Sequence, residues 1–419
     1  MKKTLVSLAA VAAISTGAMA ADKGVDLTTT GQAVIYYETK QNDAVDIFNQ
    51  AGSQANAAIQ LNIGGDLGNG YTLGSQLSYI GTLGLEKNLV SGTKQTGGAL
   101  YATTDELALS KIFVAKQVGN TTLKMGRQEL PKSLSPLAFS EGWNVFKNTF
   151  EAIVAINTDI KDTTLVGAYV GKANSTLGTG LSAMNDLTAG GLDVTKGAYM
   201  LTVANKSLPM TALTASYYTL HGIDLTSAGG DANGNSASAM WIDAKVAGKD
   251  MPLGLSVGLQ GGSIMLDLAD ASTLKDTTAM GVKVALKPVK DLMVQVAYSS
   301  VDDGAVGVKN TGTGVKTPLF TQMIYNQNAI ASDADTIVVK GAYNMGDMGK
   351  FIAQYGMTTD NANNNSDYNE LDLIYKVKSA GVTYWASVMM IDVDAAGDII
   401  GSATEDSDTK LRLWARLNF

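Results

Sequence analysis

The chain has 419 residues, of which 45% are hydrophobic, 17% charged and 7% aromatic, so it can bury a large core and is neither disordered nor fibrous. With no Cys and one His it is not a disulfide scaffold, and it has almost no ligands for a structural zinc, an iron–sulfur cluster or Cys-based catalysis. Its 31 basic against 39 acidic residues give a net charge of -8, the wrong sign for nucleic acid, and no metal or cofactor is expected.

In chain order, Lys2 and Lys3 precede an apolar run from Leu5 to Ile14 and the small residues Ala18-Met19-Ala20. This is the pattern of a secretory signal peptide over residues 1–20, leaving residues 21–419 as one mature domain. Removing the two lysines leaves 29 basic against 39 acidic residues, so the exported chain is more acidic still. No later run approaches the roughly 20 apolar residues of a membrane helix.

From there the pattern has period two. Tyr71, Leu73, Leu77 and Tyr79 share one face against Thr72, Gly74, Gln76 and Ser78. Met280, Val282, Val284 and Leu286 oppose Gly281, Lys283 and Lys287, and Leu371, Leu373, Tyr375 and Val377 oppose Glu370, Asp372, Lys376 and Lys378. Tight-turn signals recur at Gly65 to Gly70, Val118 to Asn120, Asp159 to Asp162 and Lys206 to Pro209. They continue at Lys249 to Pro252, Pro288 to Asp291, Gly346 to Gly349 and Ser379 to Gly381. Longer polar stretches separate them, a rhythm that predicts eight short turns, nine long loops and 18 strands. Sixteen is the alternative, because alternation is weak from Glu106 to Lys116.

Short turns alternating with long loops around strands of about ten residues are what an all-β transmembrane antiparallel barrel requires. Closure pairs every backbone group where lipid offers no hydrogen bonds. Pro209, Pro252 and Pro288 fall at short turns, and Pro131, Pro136 and Pro318 in long loops, where no ladder bond is lost. Near the end, Leu411, Leu413, Ala415, Leu417 and Phe419 alternate with Lys410, Arg412, Arg416 and Asn418. A last strand ending in an aromatic carboxy-terminus resembles the signal read by the outer-membrane barrel assembly machinery, which makes Phe419 a candidate assembly signal.

Met125-Gly126-Arg127-Gln128-Glu129-Leu130-Pro131, then Ser140-Glu141-Gly142-Trp143 and Asn148-Thr149-Phe150-Glu151-Ala152, resemble the third-loop region of OprD-type porins, including the Campylobacter-type major outer membrane porin family. The resemblance implies an 18-stranded barrel, a homotrimer, and a loop after the fifth strand folded inward to narrow the pore. One departure stands out: such channels carry a ladder of arginines, whereas this chain has only Arg127, Arg412 and Arg416.

The resemblance places the pore constriction on Glu129, Lys132, Glu141 and Lys147, with opposed charges setting a transverse field, and puts Arg127 near the lumen although its parity with Leu123 and Met125 points it toward lipid. Trp143 and Phe146 either anchor this loop to the wall or sit at the membrane interface. Parity nominates Lys124, Asp243, Lys245, Lys283, Lys340, Glu370, Asp372, Lys376, Arg412 and Arg416 as pore wall, a basic set beneath acidic loops. Tyrosines near strand ends, among them Tyr36, Tyr71, Tyr217, Tyr343 and Tyr384, fit interface girdles. Asp392 to Gly397 opens like a calcium loop, but Ala396 and Ala403 break the ligand set. His221 with Asp224 lacks a placed Ser nucleophile for a barrel hydrolase.

The sequence therefore predicts a non-enzymatic porin of the bacterial outer membrane, a passive, weakly charge-selective diffusion channel for small hydrophilic solutes and ions. Its expected surroundings are outer-membrane lipid and lipopolysaccharide. The competing reading is a surface adhesin or structural envelope protein on a plugged barrel, with the stretch from Val301 to Asp333 binding a partner.

Overall fold

A computed structural model describes residues 25–95, 105–174, 180–224, 234–268, 274–361, 366–393 and 407–419. The expected signal peptide, the segment 394–406 of the calcium-like loop, and residues 362–365 of the asparagine run lie outside them.

The first seven strands are β1 (Asp26–Gln41), β2 (Ser53–Gly68), β3 (Tyr71–Gly81), β4 (Glu106–Val118), β5 (Thr121–Gln128), β6 (Phe150–Asn157) and β7 (Thr163–Ala173). A small hairpin follows, β8 (Leu187–Ala189) and β9 (Leu192–Val194), inside the long β7–β10 loop. The wall resumes with β10 (Ala198–Asn205), β11 (Thr211–His221), β12 (Ser236–Ala247), β13 (Ser256–Asp267), β14 (Thr277–Val289) and β15 (Leu292–Val301). It ends with β16 (Ala334–Asn344), β17 (Lys350–Asp360), β18 (Ser366–Ser379), β19 (Val382–Val393) and β20 (Ser407–Asn418). The sheet has 18 strands, each antiparallel to the next, and β20 pairs back onto β1, so the sheet closes on itself. All eight expected turns fall between paired strands. At the β2–β3 turn Asn69 and Gly70 both take positive φ, the geometry that matches hairpin twist.

Closure reaches the last residue. The Gly31 amide donates to the Phe419 carbonyl at 2.6 Å, and the Phe419 amide returns the bond to Gly31 at 2.9 Å. A Cβ at Gly31 would lie 2.5 Å from the Phe419 ring, so only glycine lets the terminal ring lie on β1.

Alternation sends Leu123, Met125, Val282, Val284, Val296 and Val339 to an exposed apolar belt. Tyr71, Tyr343, Phe351, Tyr375 and Tyr384 ring it near the short turns, and Tyr169, Tyr199, Tyr217 and Tyr355 lie toward the long loops. Tyr36 is not a girdle residue: it is fully buried inside, bonded to Glu38.

Inside, the barrel holds a core of its own. Leu130 and Leu137 of the β5–β6 loop, Leu187 and Val194 of the small hairpin, and Val306, Val308 and Leu319 of the β15–β16 loop pack on inward residues of β6 to β12. Those wall positions are small and apolar, Ala152, Val166, Ala168, Ala198, Ala237 and Ala239 among them. They are the floor on which the loops sit, so this arc of the wall departs from simple polar-inward alternation.

Of four register shifts among the described strands, two lie beside short turns and two lie within the strands, where they break the parity. Gln76 pairs with Lys111 but Leu77 with Leu109, which leaves Ser110 extra on β4. In β7, Glu151 faces Lys172 but Ala152 faces Val170, which leaves Gly171 extra. Each shifts the residues beyond it to the other face.

Candidate functional site

The β5–β6 loop is pinned inside the barrel from several sides. The Leu137 amide donates to the Tyr218 hydroxyl at 3.2 Å, Gln95 exchanges two hydrogen bonds with the Phe146 backbone, and Arg416 donates to the Val145 carbonyl at 2.9 Å. Phe146 is buried among Val34, Tyr36 and Ile80, so it anchors the loop to the inner wall rather than sitting at the interface. Trp143 likewise faces protein, donating to Glu141 with Lys316 over its ring.

Unforeseen in the sequence is a second inward loop. The β15–β16 stretch, residues 302–333, folds into the lumen and locks onto the first. The Thr311 amide donates to the Leu137 carbonyl at 2.7 Å, and the Asn310 side chain spans Phe139 at both ends. Glu141 is the knot. Its carboxylate accepts from Trp143, Asn310, Thr313 and the Lys316 amide, and only 2% of the residue is exposed. The expectation that Glu141 faces Lys132 and Lys147 across open water is therefore corrected, since its charge is spent on backbone and side-chain donors that join two loops.

The same loop covers part of the nominated wall. Glu370 accepts from the Tyr325 amide at 2.8 Å and from the Tyr368 hydroxyl, while Asp372 accepts from the Ile324 amide and from Gln354. Both are fully buried. Arg412 donates to Glu38 at 2.8 Å and to the Tyr325 hydroxyl; Glu38 also binds Lys94 at 2.7 Å and accepts from Tyr325 and Tyr36. Parity assigns these groups to the right face, but they act as sockets for the β15–β16 loop. Lys316 organises that loop from within, donating to the Ile324 carbonyl at 2.7 Å and to Gln327 at 2.9 Å. Burial pulls its ammonium down to about 8, against the opposing pull of Glu370 and Glu141.

What stays uncovered is basic. Lys245 and Lys376 are exposed toward the interior, Lys283 and Lys340 are half-buried on strands between them, and Lys124 is half-buried on β5. Lys245 and Lys283 lie level on either side of Gly258, and Lys283 rests over the Phe320 ring at 4.0 Å. Lys350, which sequence reasoning did not nominate, pairs in register with Lys376 at the short-turn end. Both are exposed, and together they add two positive charges to that end of the lumen. Asp243 is the acid among them, bonded to the Trp241 indole at 3.1 Å.

At the junction of loop and wall, Glu129 sits between Lys111 at 2.6 Å and Lys147 at 2.9 Å. Burial works to raise its carboxyl, but the two ammonium groups outweigh that and hold it below the usual carboxylate range. Lys111 reaches the lumen because of the Ser110 bulge. The signal was present in the sequence, where outward apolar residues change parity from Leu107 and Leu109 to Ile112 and Val114. Lys132 is exposed in the lumen yet walled in, donating to the Thr317 carbonyl at 3.1 Å. Its enclosure lowers the ammonium to about 8, against the pull of Asp243.

Arg127 does not join this group. It keeps the outward parity of Leu123 and Met125 and pairs with Glu151 at 2.9 Å on the exterior of the barrel, a correction to its expected place at the constriction. His221 is also outward, its ring edge-on to Tyr199 at 5.9 Å.

The sequence matches no family model and no curated protein. The fold has solved counterparts. Pseudomonas aeruginosa OccK8 (OprE) superposes with a TM-score of 0.73 at 14% identity, covering 94% of this chain and 98% of its own. Acinetobacter baumannii OccAB3 gives 0.73 at 14%, covering 94% and 100%, and P. aeruginosa OpdK, solved with vanillate, gives 0.72 at 13%, covering 94% and 99%. The architecture is thus the closed 18-stranded barrel of these OprD/Occ-type porins.

Proposed function

We propose that the chain is an outer-membrane porin that lets small hydrophilic solutes and ions diffuse passively, with a weak preference for anions. The observation that carries this reading is the interior itself: two loops knotted through Glu141 narrow the barrel, and a wall of exposed and half-buried lysines remains below them. Water and ions reach that wall from the short-turn end, and the loops set the diameter at which passage is decided. The acidic residues Asp302, Asp303, Asp333 and Asp360 lie at the long-loop end, so the channel carries opposite charge at its outer mouth and its inner wall. The likeness of fold to OprD/Occ-type porins supports the reading, and so do the apolar belt and aromatic bands outside.

On this reading residues 1–20 are a cleaved signal peptide, residues 21–419 a single barrel domain, and Phe419 the mark by which assembly machinery takes up the last strand. The protein assembles as a homotrimer among lipopolysaccharide and outer-membrane lipid. Glu129, Lys132 and Lys147 weight ions at the constriction, and Lys124, Lys245, Lys283, Lys340 and Lys376 weight them along the wall. Catalysis plays no part. The reading as a plugged binding protein needs the β15–β16 loop outside, whereas that loop is folded in.

The test is single-channel conductance and reversal potential in a planar bilayer under a potassium chloride gradient. Steady conductance in steps of three with an anion-side potential is expected. A silent bilayer from protein that shifts on gels when heated overturns the porin reading.

A further inference from the structure

The exterior of the barrel carries a second concentration of charge. An open cleft of about 540 Å³ lies on the outer face across β4 to β7, toward their long-loop ends. Its floor is the exposed apolar trio Ile112, Met125 and Ile153. Above the floor stand Arg127, Lys172 and Lys196, with Glu151 and Asp186. Cationic side chains facing hydrocarbon are costly and become tolerable only near the interface or against an anionic headgroup. Arg127 is paired with Glu151, which leaves Lys172 and Lys196 against the single further carboxylate of Asp186, a surplus of positive charge in the cleft.

The wall is built to bring them out. The Gly171 bulge turns Lys172 outward, where uninterrupted alternation after Val166, Ala168 and Val170 would send it inside. Arg127 is held by Glu151 and by the Leu109 carbonyl next to the Ser110 bulge, and its Nε finds no acceptor. Gly197 brings Lys196 against β7: a Cβ there would sit 2.7 Å from the Val170 carbonyl, and its positive φ suits glycine. Beside the lysines, Tyr169 and Tyr199 pack with ring centroids 5.2 Å apart and continue to His221.

We propose that this cleft binds the headgroup of a phosphorylated glycolipid of the surrounding leaflet. Lys172 and Lys196 take the phosphate oxygens, beside the Arg127 guanidinium that Glu151 and the Leu109 carbonyl hold in place. Asp186 and Glu151 accept sugar hydroxyls, a role for carboxylates that a bare phosphate site would lack. The tyrosine pair offers faces to the sugar ring, and the apolar trio meets the first methylenes of the acyl chains. The proposal rests on the reading of the chain as an outer-membrane barrel.

Native mass spectrometry of the detergent-solubilised full chain with diphosphoryl lipid A tests it, with dephosphorylated lipid A and inorganic phosphate as controls. Retention of the diphosphoryl lipid is expected, weakened about tenfold by Lys172→Glu with Lys196→Glu and restored by arginine at both positions. Equal retention of the dephosphorylated lipid, or indifference to the double reversal in protein that still shifts on heating, overturns it. Displacement of the lipid by millimolar inorganic phosphate alone, or a cleft blocked by a second copy of the chain in crosslinking, also overturns it. Conductance of the same preparations separates the two readings. Channels without lipid retention defeat only the cleft, while loss of both barrel insertion and conductance defeats the membrane reading beneath it.

Discussion

Two stretches of the inner wall carry charge in opposite ways. Around β1, β18 and β20, Glu38, Glu370, Asp372 and Arg412 are buried, and the loops rest on them through Tyr325 and Ile324. Around β12 to β18, nearer the short turns, Lys245, Lys350 and Lys376 are left to water and Lys340 is half-buried, while Lys283 touches the loop only through the Phe320 ring, with Asp243 as their neighbour. The difference teaches that an inward charge in a barrel has two uses. Where a loop lies over it, it is a socket, and its field is cancelled by the donors it holds. Where nothing lies over it, it acts on whatever passes.

Removing the cover should erase the distinction most completely. Replacing residues 309–328 with a short Gly-Ser linker is expected to raise single-channel conductance about threefold, because the loop fills the lumen it crosses; an unchanged step size would place the constriction elsewhere. Next in effect, Lys283→Glu with Lys340→Glu should swing the reversal potential from the anion to the cation side while leaving the heat-shift temperature of the folded band where it is. Glu38→Gln should do the reverse, costing about 3 kcal/mol because Arg412 and Lys94 lose a buried partner, read as a lower heat-shift temperature. A selectivity change larger than that of the lysine pair would collapse the comparison.

A pH series sharpens it further. The Lys132 ammonium, lowered to about 8, is charged below that value and neutral above it. Anion preference should therefore fall as pH rises from 7 to 9, and the step should vanish in Lys132→Met. Smallest is Glu129→Gln: the group is a third exposed and sits between two lysines, so conductance should change by only about a fifth.

Strand parity and turns were legible because lipid on one side and closure on the other leave alternation little freedom. Every nominated wall residue lies on the inward face. The bulges were harder, since one extra residue such as Gly171 reads as ordinary sequence until both partner strands are aligned. The β15–β16 loop was missed because a segment without period carries no directional signal. Its apolar content did hint at burial: Val306, Val308, Leu319, Met323 and Ile330 are unusual in a solvated loop, and all are buried. Glu141 and Arg127 were misplaced for related reasons. The first accepts hydrogen bonds from a loop distant in sequence, and the second lies outward as its own parity dictates, against the resemblance.

The bond between Gly31 and Phe419 has a consequence for how the barrel comes into being. Of the eighteen pairings around the wall, seventeen join strands that follow one another along the wall, eight through short turns and nine through longer loops, so each closes far less chain than the eighteenth. The remaining one joins β20 to β1, the last and first strands of the wall, and forms only when both are in place. Until then the growing sheet has two bare edges, each a template for the wrong neighbour. The Gly31–Phe419 pair is thus the final tooth of a zip, and the time spent before it engages is the interval in which both sheet edges lie open.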